Sequence, residues 1–120
     1  MAVESKYRRT IEEIPQIQLN QYAAARLLKG DKALISFLEL PAGAVFPVHK
    51  HDCEQIMIML EGTEDHTCGD ERFVIRPGDV VVHPANVEHG GQTTTGYKAI
   101  DIFVPPREDY VEVMKKHGLT

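Results

Sequence analysis

Residues 43–62 have the sequence GAVFPVHKHDCEQIMIMLEG, and residues 78–93 have the sequence GDVVVHPANVEHGGQT. In the first stretch His49 and His51 are two residues apart, so on an extended strand both imidazoles point to the same side. Gln55 has the same parity if that strand is continuous, although a kink at residues 52–53 would change the count. His89 follows a separate turn in the second stretch, and a fold that brings the two stretches together places it opposite the pair.

These residue types are metal ligands in other proteins. Neutral imidazole binds Zn, Fe, Ni, Co or Mn, and three imidazoles with one amide oxygen leave open positions for water or substrate. Judged on spacing alone, the alternative is a set of surface histidines that bind nothing.

Most of the chain alternates short apolar segments with turns. Turn signals such as Gly30-Asp31 and Pro77-Gly78 recur at intervals of roughly 8–12 residues, which favours an antiparallel β sandwich or barrel over βαβ units. The predicted strands are 22–28, 33–40, 55–61, 72–76, 79–83 and 97–104. A helix is predicted over 107–117, where acidic residues occupy the first turn and basic residues the last.

Two spacing patterns in this chain resemble the two motifs of the cupin family. The first comprises Gly43, His49, His51, Gln55 and Gly62, separated by five, one, three and six residues. The second comprises Gly78, Pro84 and His89, separated by five and four residues. Three positions depart from the family pattern: Gln55 stands where Glu is usual, Asn86 where Gly is usual, and Thr93 where Asn is usual.

The resemblance implies an all-β double-stranded β-helix (the cupin jelly-roll barrel), to which the predicted C-terminal helix is attached. It implies that residues 1–120 form a single cupin domain with core motifs at 43–62 and 78–93. It also implies one divalent transition metal (Zn, Ni, Fe, Mn or Co), held in the barrel by His49, His51, Gln55 and His89. The neutral amide of Gln55 adds no negative charge, which favours Lewis-acid chemistry over dioxygen activation.

Two residues next to the expected ligands offer alternatives. Cys53 is expected to be a small buried thiol, because no second cysteine has zinc-site spacing near it. Glu54 has the opposite parity to Gln55 and is expected to point away from the lumen, although a shorter turn after His51 would let it replace the amide.

Three further side chains complete the set of candidates. Met57 shares the parity of Gln55 and is expected to form part of the apolar wall of the cavity. His66 is expected to be a solvated hairpin residue. His83 is expected to be a hydrogen-bonded structural histidine, and the alternative is that it lines the mouth of the pocket.

The last predicted strand and the start of the helix carry two more candidates. Asp101 lies between apolar residues, so it is either exposed at a sheet edge or directs its carboxyl group into a cavity. Arg107 begins the helix, where a cation opposes the helix dipole. It either pairs at the surface with Glu108 or Asp109, or its charge is directed at another partner.

Residues 101–109, DIFVPPRED, resemble the C-terminal segment of pectin-degradation cupins of the KdgF type, which linearise 4,5-unsaturated uronates released by polysaccharide lyases. This resemblance implies that Asp101, Phe103 and Arg107 lie beside the metal as catalytic residues. Asp101 would be the general acid/base, Arg107 would bind the substrate carboxylate, and Phe103 would shape the pocket. Two other functions remain open: a metal-dependent dioxygenase or lyase, and a non-catalytic cupin that binds a sugar or another small molecule.

Composition excludes several other classes. With 120 residues, 42% hydrophobic and 26% charged, the chain has the composition of a folded domain. A net charge of -5 without a Lys/Arg cluster argues against nucleic-acid and anionic-membrane binding. No apolar run has the length of a membrane span and no secretory signal is visible. Two cysteines do not form a disulfide framework, so a cytoplasmic location is expected. The family resemblance also implies a homodimer.

Overall fold

Most of the regular structure of this protein is β-strand, as seen in a computed structural model that describes residues 5–119. A 3-10 turn at Ile11–Glu13 precedes the strands, and one helix, α1 (Glu108–Lys116), follows them. The ten strands are β1 (Gln16–Gln18), β2 (Ala24–Lys29), β3 (Leu34–Leu40), β4 (Val45–His49), β5 (Glu54–Gly62), β6 (Glu64–Cys68), β7 (Glu71–Ile75), β8 (Val80–His83), β9 (His89–Gln92) and β10 (Tyr97–Val104).

The strands form two antiparallel sheets. One sheet has six strands in the order β1-β2-β3-β10-β5-β8, and the other has four in the order β4-β9-β6-β7. The last strand, β10, lies between β3 and β5, so the end of the chain is inserted between two earlier strands. This arrangement is a double-stranded β-helix, and it confirms the predicted fold class together with the short C-terminal helix.

The six-stranded sheet directs alternate side chains of β5 and β10 into the barrel. Along β5, Gln55, Met57 and Met59 are buried and Glu54 is exposed, which is the expected period of two. The register places Gln55 between Phe103 of β10 and His83 of β8. The next inward row along the same strands contains Ser36, Asp101, Met57 and Val81. The sheet therefore brings residues that are distant in sequence to one inner surface.

The four-stranded sheet contains three of the four strands that local sequence did not indicate, β4, β6 and β9, and the fourth is β1 in the six-stranded sheet. Strand β4 ends at His49, and in the antiparallel register His49 lies directly opposite His89 of β9. Strand β9 contains Gly90 and Gly91, where an added Cβ would come within 2.8 Å and 2.6 Å of backbone oxygens. Both glycines are therefore needed for close packing of the backbone rather than for a turn.

Part of the barrel exterior is apolar. Val80 and Val82 of β8, an edge strand of the six-stranded sheet, are 60% and 54% exposed. The expected homodimer stays a prediction.

Within residues 5–119, no helix is both long and apolar enough to cross a bilayer.

Asn86 explains one departure from the cupin motif. Its φ is 64°, in the left-handed region, and its backbone N–H donates to the carbonyl of His51 at 2.8 Å. Asparagine adopts this conformation more readily than most residues, so it replaces the usual glycine without breaking the turn.

This backbone requirement can be tested with two substitutions. Asn86→Gly should leave the free energy of unfolding nearly unchanged, whereas Asn86→Ala should lower it by about 1–2 kcal/mol, because alanine pays the left-handed penalty without local compensation. Urea unfolding of both variants measures the difference. Equal stabilities would show that the left-handed conformation is not retained at this turn.

Candidate metal centre

Three histidines from the two sequence motifs lie together. His49 ends β4, His89 begins β9, and His51 lies in the segment that leads to β5. One ligand nitrogen from each residue lies within 4.8 Å of the other two. The ring centroids are 4.5 Å apart for His49 and His89 and 4.9 Å apart for His51 and His89. The three imidazoles can therefore hold a single metal ion.

Hydrogen bonds to the main chain orient all three rings in the same way. In each ring Nδ1 lies close to the carbonyl oxygen of a residue two positions away. The pairs are His49 with Pro47 (2.8 Å), His51 with Cys53 (2.8 Å) and His89 with Val87 (3.0 Å). Because a carbonyl oxygen only accepts, Nδ1 must be the donor, and the lone pair of each neutral ring is then on Nε2. Such bonds fix the tautomer and orientation of metal-binding histidines.

Burial keeps two of these rings in the form that binds metal. Burial lowers the pKa of His49, and it lowers the pKa of His89 to about 4. Both imidazoles are therefore neutral at pH 7. His89 Nε2 is buried and has no hydrogen-bond partner among the described residues, which is costly for a polar atom unless another group occupies its lone pair.

Gln55 places its amide oxygen beside the histidine cluster. Its Oε1 lies 3.1 Å from Nε2 of His51, and its Nε2 donates to Oδ1 of Asp101 at 2.9 Å. Both the amide oxygen and the His51 nitrogen are acceptors, so their proximity is favourable when a cation lies between them. The donor set therefore fits a divalent transition metal, with Gln55 as the proposed fourth ligand.

Asp101 is enclosed beside this cluster. Only 5% of it is exposed, and burial raises its pKa to about 7, although the hydrogen bond from Gln55 acts in the opposite direction. Of the two possibilities that the sequence left open, the structure therefore shows the buried carboxyl group. A group with this pKa can both hold and release a proton near neutrality.

Arg107 meets both descriptions that the sequence allowed. Its guanidinium forms two hydrogen bonds to Asp109, of 2.7 and 3.0 Å, and also lines the cavity. Its Cζ lies 4.1 Å from the ring centroid of Tyr110 and 5.4 Å from that of Phe103. Cation–π contacts with both rings hold the guanidinium at the cavity, where an anionic ligand could exchange with Asp109.

The remaining candidates near the ligands lie where they were expected. Cys53 is a buried thiol, its Sγ 3.3 Å from Nδ1 of His51 rather than among the converging nitrogens. Glu54 is exposed, and Met57 lines the cavity.

His66 corrects a prediction. It is not a solvated hairpin residue: it is 4% exposed and bonded to Glu64 and His83. His83 is fully buried and hydrogen-bonded, as expected. Its pKa is lowered to about 3, mainly by burial and also by the charge of the neighbouring His89. Sequence reasoning missed Glu64 and Tyr97, which also line the cavity. The available signal was the spacing of Glu64 and His66, which are two residues apart and therefore lie on the same face of a strand, opposite to Asp65.

The cavity is small. It offers about 30 Å³ to the centres of water molecules, which is room for one or two waters. A ligand as large as a sugar ring would therefore require lining side chains to move.

Comparison with known proteins identifies the class. Residues 36–103, more than half of the chain, match the Cupin domain family, so this protein belongs to the cupin family. An RmlC-like cupin from Shewanella frigidimarina is 25% identical, with a TM-score of 0.82 over 88% of this chain and 96% of that one. KdgF from Halomonas sp. is 22% identical, with a TM-score of 0.77 over 82% of this chain and 94% of that one. No curated protein matches the sequence.

A more distant likeness shows how widely the fold is used. A variant of oxalate decarboxylase from Bacillus subtilis is 18% identical, with a TM-score of 0.69 over 81% of this chain and 29% of that one. Likeness at these identities shows a common fold, and the activity must be argued from the site itself.

The hydrogen bond from Gln55 to Asp101 gives a physical reason for an amide at residue 55, and this reason can be tested. In Gln55→Glu, two buried carboxyl groups would face each other, and above the pKa of Asp101 they would repel. Without added metal at about pH 8, this variant should lose about 1–3 kcal/mol in the free energy of unfolding. Adding Asp101→Asn should recover part of the loss, because the new amide can donate to the glutamate. Urea unfolding of both single variants and the double variant gives the coupling energy. Purely additive effects would contradict the argument.

Proposed function

We propose that this cupin uses a bound divalent metal to act on a small anionic, sugar-derived substrate, and specifically that it converts 4,5-unsaturated uronates to their linear keto form. The observation that carries the proposal is the convergence of three oriented imidazoles with Asp101 and Arg107 at one cavity. The resemblance of residues 101–109 to pectin-degradation cupins supports the choice of substrate, and the likeness to the KdgF structure supports the same fold.

The metal would be held by His49, His51 and His89, with Gln55 as the fourth ligand. When bound, a divalent ion supplies Lewis-acid polarisation of a substrate oxygen. All four ligands are neutral, so none of the positive charge is cancelled within the ligand set. This favours polarisation of an enol or carbonyl oxygen over redox chemistry.

Asp101 supplies proton transfer. Its Oδ1 accepts from Gln55, and Oδ2 has no hydrogen bond among the described residues, so the second oxygen is available to a substrate atom. Ring opening of an unsaturated uronate and ketonisation of the resulting enol require a proton to leave a hydroxyl group and a proton to reach carbon. A carboxyl group with a pKa near neutrality can perform both transfers in turn. A bound cation nearby would lower this pKa and favour the carboxylate form.

Arg107 supplies recognition of the substrate carboxylate. Its planar fork already binds one carboxylate, that of Asp109, in a two-bond geometry. The Asp109 side chain is 63% exposed, so this ion pair is screened by water and weak enough to be exchanged. Phe103 is 1% exposed and does not line the cavity itself. Its ring centroid lies 5.7 Å from that of His51 and 5.4 Å from Cζ of Arg107, so it would act by supporting these two side chains.

The proposal is tested by metal analysis followed by turnover. Protein loaded separately with Zn, Ni, Fe, Mn or Co is mixed with unsaturated galacturonate and unsaturated guluronate, and loss of the conjugated ultraviolet band is followed. We expect conversion by at least one metal form, none after chelation, and recovery on adding metal back. His89→Ala should lose stoichiometric metal, whereas His117→Ala, which removes an exposed histidine directly after the helix, should keep it.

Three outcomes of that experiment would count against the proposal. Equal turnover by the chelated protein would contradict the role of the metal. Tight binding of the uronate with no product by mass spectrometry would indicate a binding protein. Oxygen consumption in place of conversion would indicate a dioxygenase.

Asp101→Asn separates proton transfer from metal binding. The variant should bind metal as the unaltered protein does and lose at least about 100-fold in kcat, because an amide cannot exchange the proton. Asp65→Asn, which alters an exposed acid on β6, is the matched control and should keep full activity. A fully active Asp101→Asn variant with normal metal content would remove Asp101 from the mechanism.

A further inference from the structure

A chain of buried polar side chains lies beside the metal cluster, with the His83 and His89 ring centroids 4.3 Å apart. The Tyr97 hydroxyl donates to Oε2 of Glu64 at 2.8 Å, and Oε1 of Glu64 lies 2.6 Å from Nδ1 of His66. His66 Nε2 lies 2.8 Å from Nε2 of His83. Each of these four residues is at most 4% exposed. None of them has a role in the chemistry described above.

Glu64 is expensive to bury and is held in one orientation. Removing a carboxylate from water costs several kcal/mol unless hydrogen bonds compensate, so an apolar residue would be the simpler choice for a barrel interior. Tyr97 and His66 fix one oxygen each. Gly91 makes space for the side chain, since a Cβ there would lie 2.8 Å from Cδ of Glu64. The surroundings are therefore arranged around this carboxyl group.

The carboxyl group of Glu64 can accept further hydrogen bonds. A carboxylate offers about four lone-pair positions, and the described residues use one on each oxygen. Glu64, His66 and Tyr97 line the cavity that also contains His89, Asp101 and Arg107. A ligand bound there would meet a cation at Arg107 and an oriented acceptor at Glu64.

We propose that Glu64, oriented by Tyr97 and His66, is a specificity residue that accepts a hydrogen bond from a substrate hydroxyl group. The subsite selects small carboxylates that carry a free hydroxyl group on the ring and discriminates against equally sized carboxylates without one. A ligand without a hydroxyl group would leave the buried acceptor of Glu64 without a donor and would therefore bind more weakly. The inference rests on the proposed function because both place the substrate in the same cavity.

Binding to the metal-loaded protein tests the subsite without turnover. The probes are D-galacturonate and cyclohexanecarboxylate, which share a six-membered ring and a carboxylate and differ in the hydroxyl groups and the ring oxygen. Calorimetry should show that the unaltered protein prefers galacturonate. In Glu64→Gln this preference should fall about 10-fold, because a charge-assisted hydrogen bond becomes a neutral one, while the affinity for cyclohexanecarboxylate stays within about twofold. Glu61→Gln, on the exposed face of β5, should change neither affinity.

Tyr97→Phe distinguishes recognition from a structural role. It removes the hydrogen bond that orients Oε2 and leaves the carboxylate and its contact with His66 in place, so the preference for galacturonate should fall by less than in Glu64→Gln even if the melting temperature falls as much. If Glu64→Gln and Tyr97→Phe both lower the melting temperature and leave the preference unchanged, Glu64 is structural and the inference is wrong. If neither probe binds the unaltered protein, the anion site of the proposed function fails, and this inference fails with it.

Discussion

The direct pairing of His49 with His89 is the constraint on which the site depends. These residues come from separate motifs, and they become neighbours because β4 and β9 pair in a register that places one opposite the other. The pairing needs close approach of the two backbones, which Gly90 permits: an added Cβ there would lie 2.8 Å from the carbonyl oxygen of Phe46. A register slip of one residue would turn one imidazole to the opposite face of its sheet and separate the ligands.

The second level of organisation is the orientation of polar groups that cannot move once the barrel has closed. Main-chain carbonyls fix the three imidazoles, and Asp101 fixes the amide of Gln55. Each of these bonds uses the donor of a ligand side chain and leaves its acceptor directed inward. An interior that presents acceptors without matching donors is stabilised by a cation, so the hydrogen-bond pattern and the proposed metal are two consequences of one arrangement.

Sequence patterns predicted much of this site because the ligands lie in short motifs with defined spacing. Apolar content predicted the bounds of β10. The charges at the two ends of the helix predicted its bounds to within one residue. The strands β6 and β9 were not predictable in this way. Burial of Glu64 and His66 contradicts the usual polarity of interiors, and Gly90 and Gly91 lack side chains that favour a strand. Their positions depend on pairing with strands far away in the chain, and local pattern carries no information about that pairing.

The central claim is that three imidazoles from separate segments hold one divalent ion. X-ray absorption at the Zn edge of the zinc-loaded protein tests it most directly, because it reports the ligand atoms themselves. We predict a first shell containing three imidazole nitrogens at about 2.0–2.1 Å, together with oxygen and no sulfur. A spectrum with fewer than three imidazoles, or with a sulfur neighbour from Cys53, would contradict the account.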